Sequence, residues 1–351
     1  MKNRILSSFV IALIAVPVVA QAPAPKAAAP STAATAKAWA PSKTPWGDPD
    51  LQGIYTSDDY IQVPLQRPEA LGTRQFATDE EIAAAQTRIA NNARADSVEF
   101  ANPEGNVGTG PPSHWIERAR RPARQTSLII EPENGRLPAR TADGTARGTV
   151  AAATKQGAGT ARPEDSWEGY TYYIRCITRG IGGSVLPVIY GNGTEIVQGP
   201  GYVMLLQEMV HEARVIPLGN SPHVGSSIKS YMGDSRGRFD GNTLVIETTN
   251  FLHDRTAFGG NGAPNANTPG ISDVAKITER LTRTDKDTIQ YSMRVDDPKS
   301  YTAPFTISFP IRQEPGYQNF EYACHEGNNG MMNQLSAARA EEKKAAEAAK
   351  K

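Results

Sequence analysis

Six short runs in the second half of the chain read as strands, and several of them alternate apolar and polar positions with the period of two that puts every other side chain on one face. They span residues 202–207, 213–218, 243–248, 276–281, 288–295 and 305–309. Asp240-Gly241-Asn242 and Thr284-Asp285-Lys286-Asp287 join neighbouring runs. Linkers that short make antiparallel hairpins, because a parallel pair needs a crossover of a dozen residues or more. An open sheet of this kind exposes two unpaired edges, and closure removes both. The pattern therefore predicts a mainly β fold with an antiparallel calycin-like, lipocalin-type β-barrel in the C-terminal half. A flat or sandwiched sheet is the other solution.

The first half reads differently. Thr78-Asp79-Glu80-Glu81 is a capping box, in which Thr78 and Glu81 each satisfy an amide of the other, and residues 82–95 are rich in helix formers. Gln125-Thr126-Ser127-Leu128-Ile129-Ile130-Glu131 reads as a strand, and Pro132-Glu133-Asn134-Gly135 after it as a tight hairpin turn. Residues 101–122 are Gly, Pro and polar, with Glu117, Arg118, Arg120, Arg121 and Arg124 forming a basic edge that either faces solvent or docks an anion. Residues 139–163 show no sustained period and read as a surface excursion, and the Gly-rich stretch 259–270 as a mobile loop.

The ends complete the organisation. Lys2 and Arg4 precede an apolar stretch at residues 5–19 that closes on Val18-Val19-Ala20, the layout of an export signal rather than a membrane span. The expected organisation is a signal peptide at 1–20, an Ala/Pro-rich disordered tether at 21–44, an irregular region with one or two helices wrapping the barrel at 45–165, the barrel at 166–335, and a charged helical tail at 336–351. The tail alternates Ala with Glu and Lys and offers no apolar face, so its removal is expected to leave stability nearly unchanged. The mature chain is expected in the periplasm or outside the cell.

Charge narrows the partners. The 351 residues carry 37 Lys plus Arg against 37 Asp plus Glu, so the excess of cations that nucleic acid binding draws on is missing. Neither a Walker loop nor a dinucleotide glycine fingerprint occurs, and no cofactor is expected. Cys176 and Cys324 are the only two thiols, and in an oxidising compartment an even pair reads as a disulfide. That bond sets Arg175 and Thr178 beside His325 and Glu326. The competing reading is a Cys nucleophile activated by His325. His211-Glu212 and His325-Glu326 are the candidate acid-base pairs, each needing an irregular backbone to point both members into one site. Zinc would use the same histidines, yet no metal-ligand spacing is present and no metal is expected. Gly233-Asp234-Ser235-Arg236-Gly237 fits the G-x-S-x-G pattern, but it leads into a strand instead of a helix. A hairpin in which Asp234, Arg236 and Arg238 make salt bridges or grip a ligand is the better reading.

Pro45-Trp46-Gly47-Asp48-Pro49-Asp50-Leu51-Gln52-Gly53, Arg175-Cys176-Ile177-Thr178-Arg179-Gly180, Met232-Gly233-Asp234-Ser235-Arg236-Gly237-Arg238, the strand from Gly241 to Phe251 and Tyr322-Ala323-Cys324-His325-Glu326-Gly327-Asn328 together resemble a large family of exported, functionally unassigned bacterial proteins. The resemblance runs from about Pro45 to Ser336 and implies no activity. Tyr55 and Phe239 stand where that family often has Trp, so these rings are candidate pocket residues. Two function classes follow. One is a cofactor-independent lyase, isomerase or hydrolase with His211 and His325 as acid and base, Glu212 and Glu326 beside them, and Arg175, Asp234, Arg236 or Arg238 holding a small organic substrate. The other is a non-catalytic binding protein for an apolar or aromatic small molecule.

Overall fold

The computed structural model describes residues 39–101, 116–147, 163–170, 172–252 and 271–350. The expected signal peptide, most of the tether, large parts of the 101–122 and 139–163 segments, and all of 259–270 lie outside these residues. Among the described residues the chain is mainly β, with two antiparallel sheets and few helices.

The strands are β1 (Gly53–Tyr55), β2 (Ile129–Glu131), β3 (Thr194–Gly199), β4 (Tyr202–Gln207), β5 (Ala213–Pro217), β6 (Asp234–Asp240), β7 (Thr243–Thr249), β8 (Lys276–Arg283), β9 (Thr288–Asp296) and β10 (Phe305–Arg312). One sheet runs β1-β3-β4-β5 and the other β2-β10-β9-β8-β7-β6. Every run expected from the alternation is a strand, and the two polar linkers are the expected hairpin turns between β6 and β7 and between β8 and β9. Single bridges tie the sheets at both margins, Thr56 to Arg312 beyond β1 and Leu218 to Gly237 beyond β5. The second contact is close, and a Cβ on Gly237 would sit 2.8 Å from Leu218 and 2.9 Å from Ile216, so a glycine is what lets β5 approach β6.

Alternate residues of both sheets enter one core. Ile196, Val203, Leu205 and Ile216 of the first sheet join Leu244, Ile246, Ile277, Leu281, Tyr291, Phe305, Ile307 and Phe309 of the second. Side chains fill the space between the strands. Burying a residue of this size contributes about 1.5–3 kcal/mol, so a dozen inward residues outweigh any single polar contact on the surface.

β1, β3 and β6 are strands that the alternation does not announce. Their inward positions include Thr194, Gln198, Ser235 and Gly237, which are polar or lack a side chain, yet are buried. Hydrogen bonds replace apolar contact there. Gln198 accepts from the Leu51 amide at 2.6 Å and donates to the Pro49 carbonyl at 3.1 Å, which pins the Pro45–Gly53 segment against β3. Ser235 is the second residue of β6, buried and bonded to Thr248 at 2.9 Å, and a strand, not a helix, follows it, so the G-x-S-x-G segment is not a nucleophile elbow.

Helix α1 (Asp79–Ala101) starts at the capping box, with the Thr78 amide donating to Glu81 Oε2 at 2.8 Å and the Glu81 amide to Thr78 Oγ1 at 3.3 Å. Helix α2 (Gly180–Val185) is buried along its whole length. Helix α3 (Asn329–Ala348) starts ahead of the expected tail, with the Asn328 side chain accepting from the Met331 amide. It docks, contrary to the expectation for the tail: Ala338 is buried, and Arg339 donates to the Glu164 and Asp165 carbonyls at 3.0 and 3.2 Å. The turn after β2 also departs from expectation. Gly135 takes the left-handed backbone at φ 65° and donates to the Pro132 carbonyl, but the chain turns back to Arg67, and β2 pairs with β10. No helix among the described residues is long and apolar enough to cross a membrane.

Candidate functional site

The two cysteines are bonded, with Cα atoms 5.7 Å apart across 148 residues of sequence. Cys176 comes from the segment leading into α2, and Cys324 from the irregular stretch between β10 and α3. Beside the bond is a hollow of about 400 Å³ lined by Tyr173, Ile174, Tyr322, Asn328 and Met331. Asn328 closes one side by donating to the Ile174 carbonyl at 2.6 Å.

Behind this wall the Tyr173 and Tyr190 hydroxyls meet at 3.5 Å, and both lie close enough to the Tyr322 hydroxyl to shift its proton affinity. The Arg179 guanidinium lies 5.3 Å from the Tyr173 ring centroid and is 1 % exposed. Burial lowers the Arg179 pKa and the nearby tyrosine oxygens oppose that shift. Burial likewise raises the Tyr173 and Tyr322 hydroxyls above their ordinary 10. Tyr173 and Tyr322 therefore stay protonated at neutral pH, with the buried Arg179 guanidinium against the Tyr173 ring.

On the other side of Arg179, Thr178 Oγ1 donates to Glu212, within 2.6 Å of Oε2. Burial raises the Glu212 pKa, and the Thr178 hydroxyl and the Arg179 amide act against it. The next residue, His211, is exposed, with its ring 3.2 Å from the Tyr322 backbone. The non-glycine residues with left-handed backbone among the described residues are Cys176, Val210, His211 and Asn250. Three of them belong to this site. A β-branched residue such as Val210 at φ 67° is an uncommon and costly conformation, of the kind held where surrounding structure over-determines it.

A second polar cluster adjoins the first through the chain. Asn192, two residues after Tyr190, donates to Asp58 at 2.9 Å and to Glu117 at 2.7 Å. Asp58 and Glu117 hydrogen-bond each other; burial raises both, and Asp58 adds to the rise of Glu117. Such a pair holds one proton between two carboxyl groups. Glu208 accepts from Tyr317 and from the Gly193 amide at 3.1 Å. A Cβ on Gly193 would come within 2.7 Å of Glu208, so this turn admits only glycine without displacing the carboxylate.

The residues singled out from the sequence separate into groups. Cys176, Cys324, His211 and Glu212 lie at or next to the disulfide hollow. His325 and Glu326 are exposed, and the wall of the hollow passes from Cys324 to Gly327 without them. Arg175 lies over the Trp167 ring at 4.4 Å and near Tyr172 at 5.7 Å. Asp234 and Arg236 pair at 2.7 Å, Asp234 also meets His223 at 2.7 Å, and Arg238 is exposed on the same strand. Tyr55 is fully buried with its hydroxyl on the Gln52 carbonyl, and Phe239 packs against the core, so neither lines the hollow. The basic edge is paired at Arg120 and Arg121, which meet Asp59 and Glu314, and at Arg124, which meets Asp79.

Sequence reasoning missed Tyr173, Tyr190, Tyr322, Arg179, Asp58, Glu117 and Glu208 as members of one polar belt. A partial signal existed, because Tyr173 and Tyr322 lie within three residues of the cysteines. No group of three His, Cys, Asp or Glu side chains that could hold a metal occurs among the described residues. Comparison with protein-family models, with curated proteins and with solved structures gives no match to this chain.

Proposed function

We propose that this is an exported binding protein for a small aromatic or apolar molecule with one polar end, held in the hollow beside Cys176–Cys324. The observation that carries the reading is the joining of a partly apolar hollow of about 400 Å³ to a buried Arg179 and a cluster of three tyrosines, of which Tyr173 and Tyr190 share a hydroxyl hydrogen bond. Pockets for small ligands are mostly apolar with a few fixed polar groups, and their volumes start at about 300 Å³. Ile174, Met331 and the tyrosine rings supply the apolar wall. The hydroxyls offer both donors and acceptors, and Arg179 behind them favours a carboxylate or phenol oxygen. Left-handed backbone at Cys176, Val210 and His211 supports a functional site here, since strain of this kind clusters at ligand clamps.

The frame of the reading is a calycin-like barrel. It is supported by the bridges that tie the two sheets at both margins and by the single core that they share. Export is supported by the N-terminal basic and apolar pattern and by the disulfide, and membership of the exported bacterial family by the sequence motifs that carry the resemblance alone. A second reading, acid-base catalysis on the same ligand, is favoured by one observation: Glu212 is a half-buried carboxyl with a raised pKa, one residue from His211 at the Tyr322 backbone. That arrangement keeps a proton-transfer pair next to the tyrosines.

The test is to purify the chain from periplasm, identify co-purified small molecules by mass spectrometry, and titrate benzoate and 4-hydroxybenzoate while following thermal stability. Binding to the native state raises the melting temperature with concentration. Wild-type protein is expected to retain a ligand or respond to one of the probes, and Tyr322→Phe to weaken the response. An empty wild-type protein that ignores both probes rejects the proposal. If a ligand binds and His211→Ala alters its conversion without altering its retention, the catalytic reading replaces the binding one.

A further inference from the structure

We propose that the protein has a second binding site, for a neutral oligosaccharide, in a cavity of about 670 Å³ on the face of β10 turned away from the core. The cavity shares no lining residue with the disulfide hollow. Its volume lies within the range of small-molecule sites, about 300–1,000 Å³.

The cavity is built on fixed backbone. Residues 75–77 and 124–126 pair as a short ladder, with the Ala77 amide on the Arg124 carbonyl at 2.7 Å and the Thr126 amide on the Gln75 carbonyl at 3.0 Å. Phe76 projects from this ladder with 60 % of its surface exposed. An aromatic ring held on rigid backbone at the rim of a cavity is a platform for an apolar face. Below it, Arg67 is 1 % exposed and bonds Thr126 Oγ1 at 3.0 Å and the Glu133 carbonyl at 2.5 Å, which ties two walls together.

The floor is a row of oriented amides. Gln125 Nε2 donates to the Ser308 carbonyl and Gln290 Nε2 to Ser308 Oγ, each at 2.8 Å. Both amides are thereby fixed by β10, and among the described residues no donor reaches either Oε1. Arg124 adds an exposed guanidinium with Asp79 at 3.1 Å. Two arginines and two glutamates line the cavity, so its formal charge balances. A charged ligand gains little from such a wall. A sugar gains most, because each hydroxyl both donates and accepts, and the C–H face of a pyranose ring packs on an aromatic ring.

The experiment is titration of the full-length protein with maltotriose, cellotriose and tri-N-acetylchitotriose, read by saturation-transfer NMR and calorimetry. At least one trisaccharide is expected to bind at about 1 mM or tighter. Phe76→Ala, at an exposed position and expected to keep the wild-type circular dichroism spectrum, is expected to weaken it roughly tenfold. Gln290→Ala is expected to weaken it as well. Absence of binding by all three sugars at about 10 mM overturns the proposal. So does binding that is unchanged in both Phe76→Ala and Gln290→Ala.

Discussion

Glu279 has no exposed surface, and its charge is tolerated there because Arg214 meets it with two bonds at 2.5 and 2.8 Å while the Tyr291 hydroxyl adds a third at 2.9 Å. A buried pair of this kind contributes little over an apolar isostere, but removing one partner leaves the other charge stranded. Glu279→Ala is therefore expected to cost about 3–5 kcal/mol in urea unfolding. The double change Arg214→Met with Glu279→Leu is expected to cost much less, and equal costs would show that the pair acts by packing alone. Asp58 and Glu117 make a different prediction. Their folded pKa values lie above the unfolded ones, so the native state keeps a proton that the unfolded chain has lost. Their contribution to stability is intact below the ordinary carboxylate value and falls as pH rises toward the raised one. Glu212 acts in the same direction. Asp273, held near 2 by Lys299 and Lys229, acts in a separate and more acidic window with the opposite slope. Unfolding free energy measured between about pH 5 and about pH 8 is expected to decline in wild type and to decline less in Glu117→Gln.

At the scale of elements, local chemistry and docking contribute differently. The capping box of α1 is written in four consecutive residues, and it forms as written. Thr78→Ala is expected to cost about 1 kcal/mol, read from the urea midpoint. α3 is the contrary case. Its helicity follows from Ala, Glu and Lys, but its attachment does not, because the burial of Ala338 and the bonds of Arg339 to the Glu164 and Asp165 carbonyls need a partner segment far away in sequence. Truncation before Ser336 removes those contacts and is expected to lower the melting temperature measurably, whereas Arg339→Ala alone, an exposed side chain, is expected to shift it little. The strands show the same division. β4, β7, β9 and β10 carry mainly apolar inward faces, whereas β5 and β8 interrupt theirs with the buried pair Arg214 and Glu279. β3 and β6 bury Gln198, Ser235 and Gly237 instead, and are strands because β4 and β7 supply their hydrogen bonds.

For the whole molecule, the Cys176–Cys324 bond closes a covalent loop across 148 residues and holds the segment bearing Tyr322 near Tyr173 and Tyr190. Linking residues so far apart restricts the unfolded chain by up to about 5 kcal/mol on the entropy account. Cys176→Ser with Cys324→Ser is expected to lower stability by a large part of that and to weaken any ligand of the hollow, while the sheets keep their far-ultraviolet signature. Loss of all sheet signal would place the bond in the core of the fold instead. Several features are settled by neighbours along the chain: the period of two in the later strands, the capped helix, and the presence of a single thiol pair. Each depends on forces between residues that are close in sequence, or on there being only one possible partner, so order along the chain is enough. The cluster of tyrosines near Arg179, the carboxyl pair of Asp58 and Glu117, and the ion pair of Arg214 with Glu279 depend on register and on where loops return. Their partners are chosen only when the sheets pack, and burial then sets their charges. That is why the tertiary structure alone decided where this protein keeps its polar chemistry.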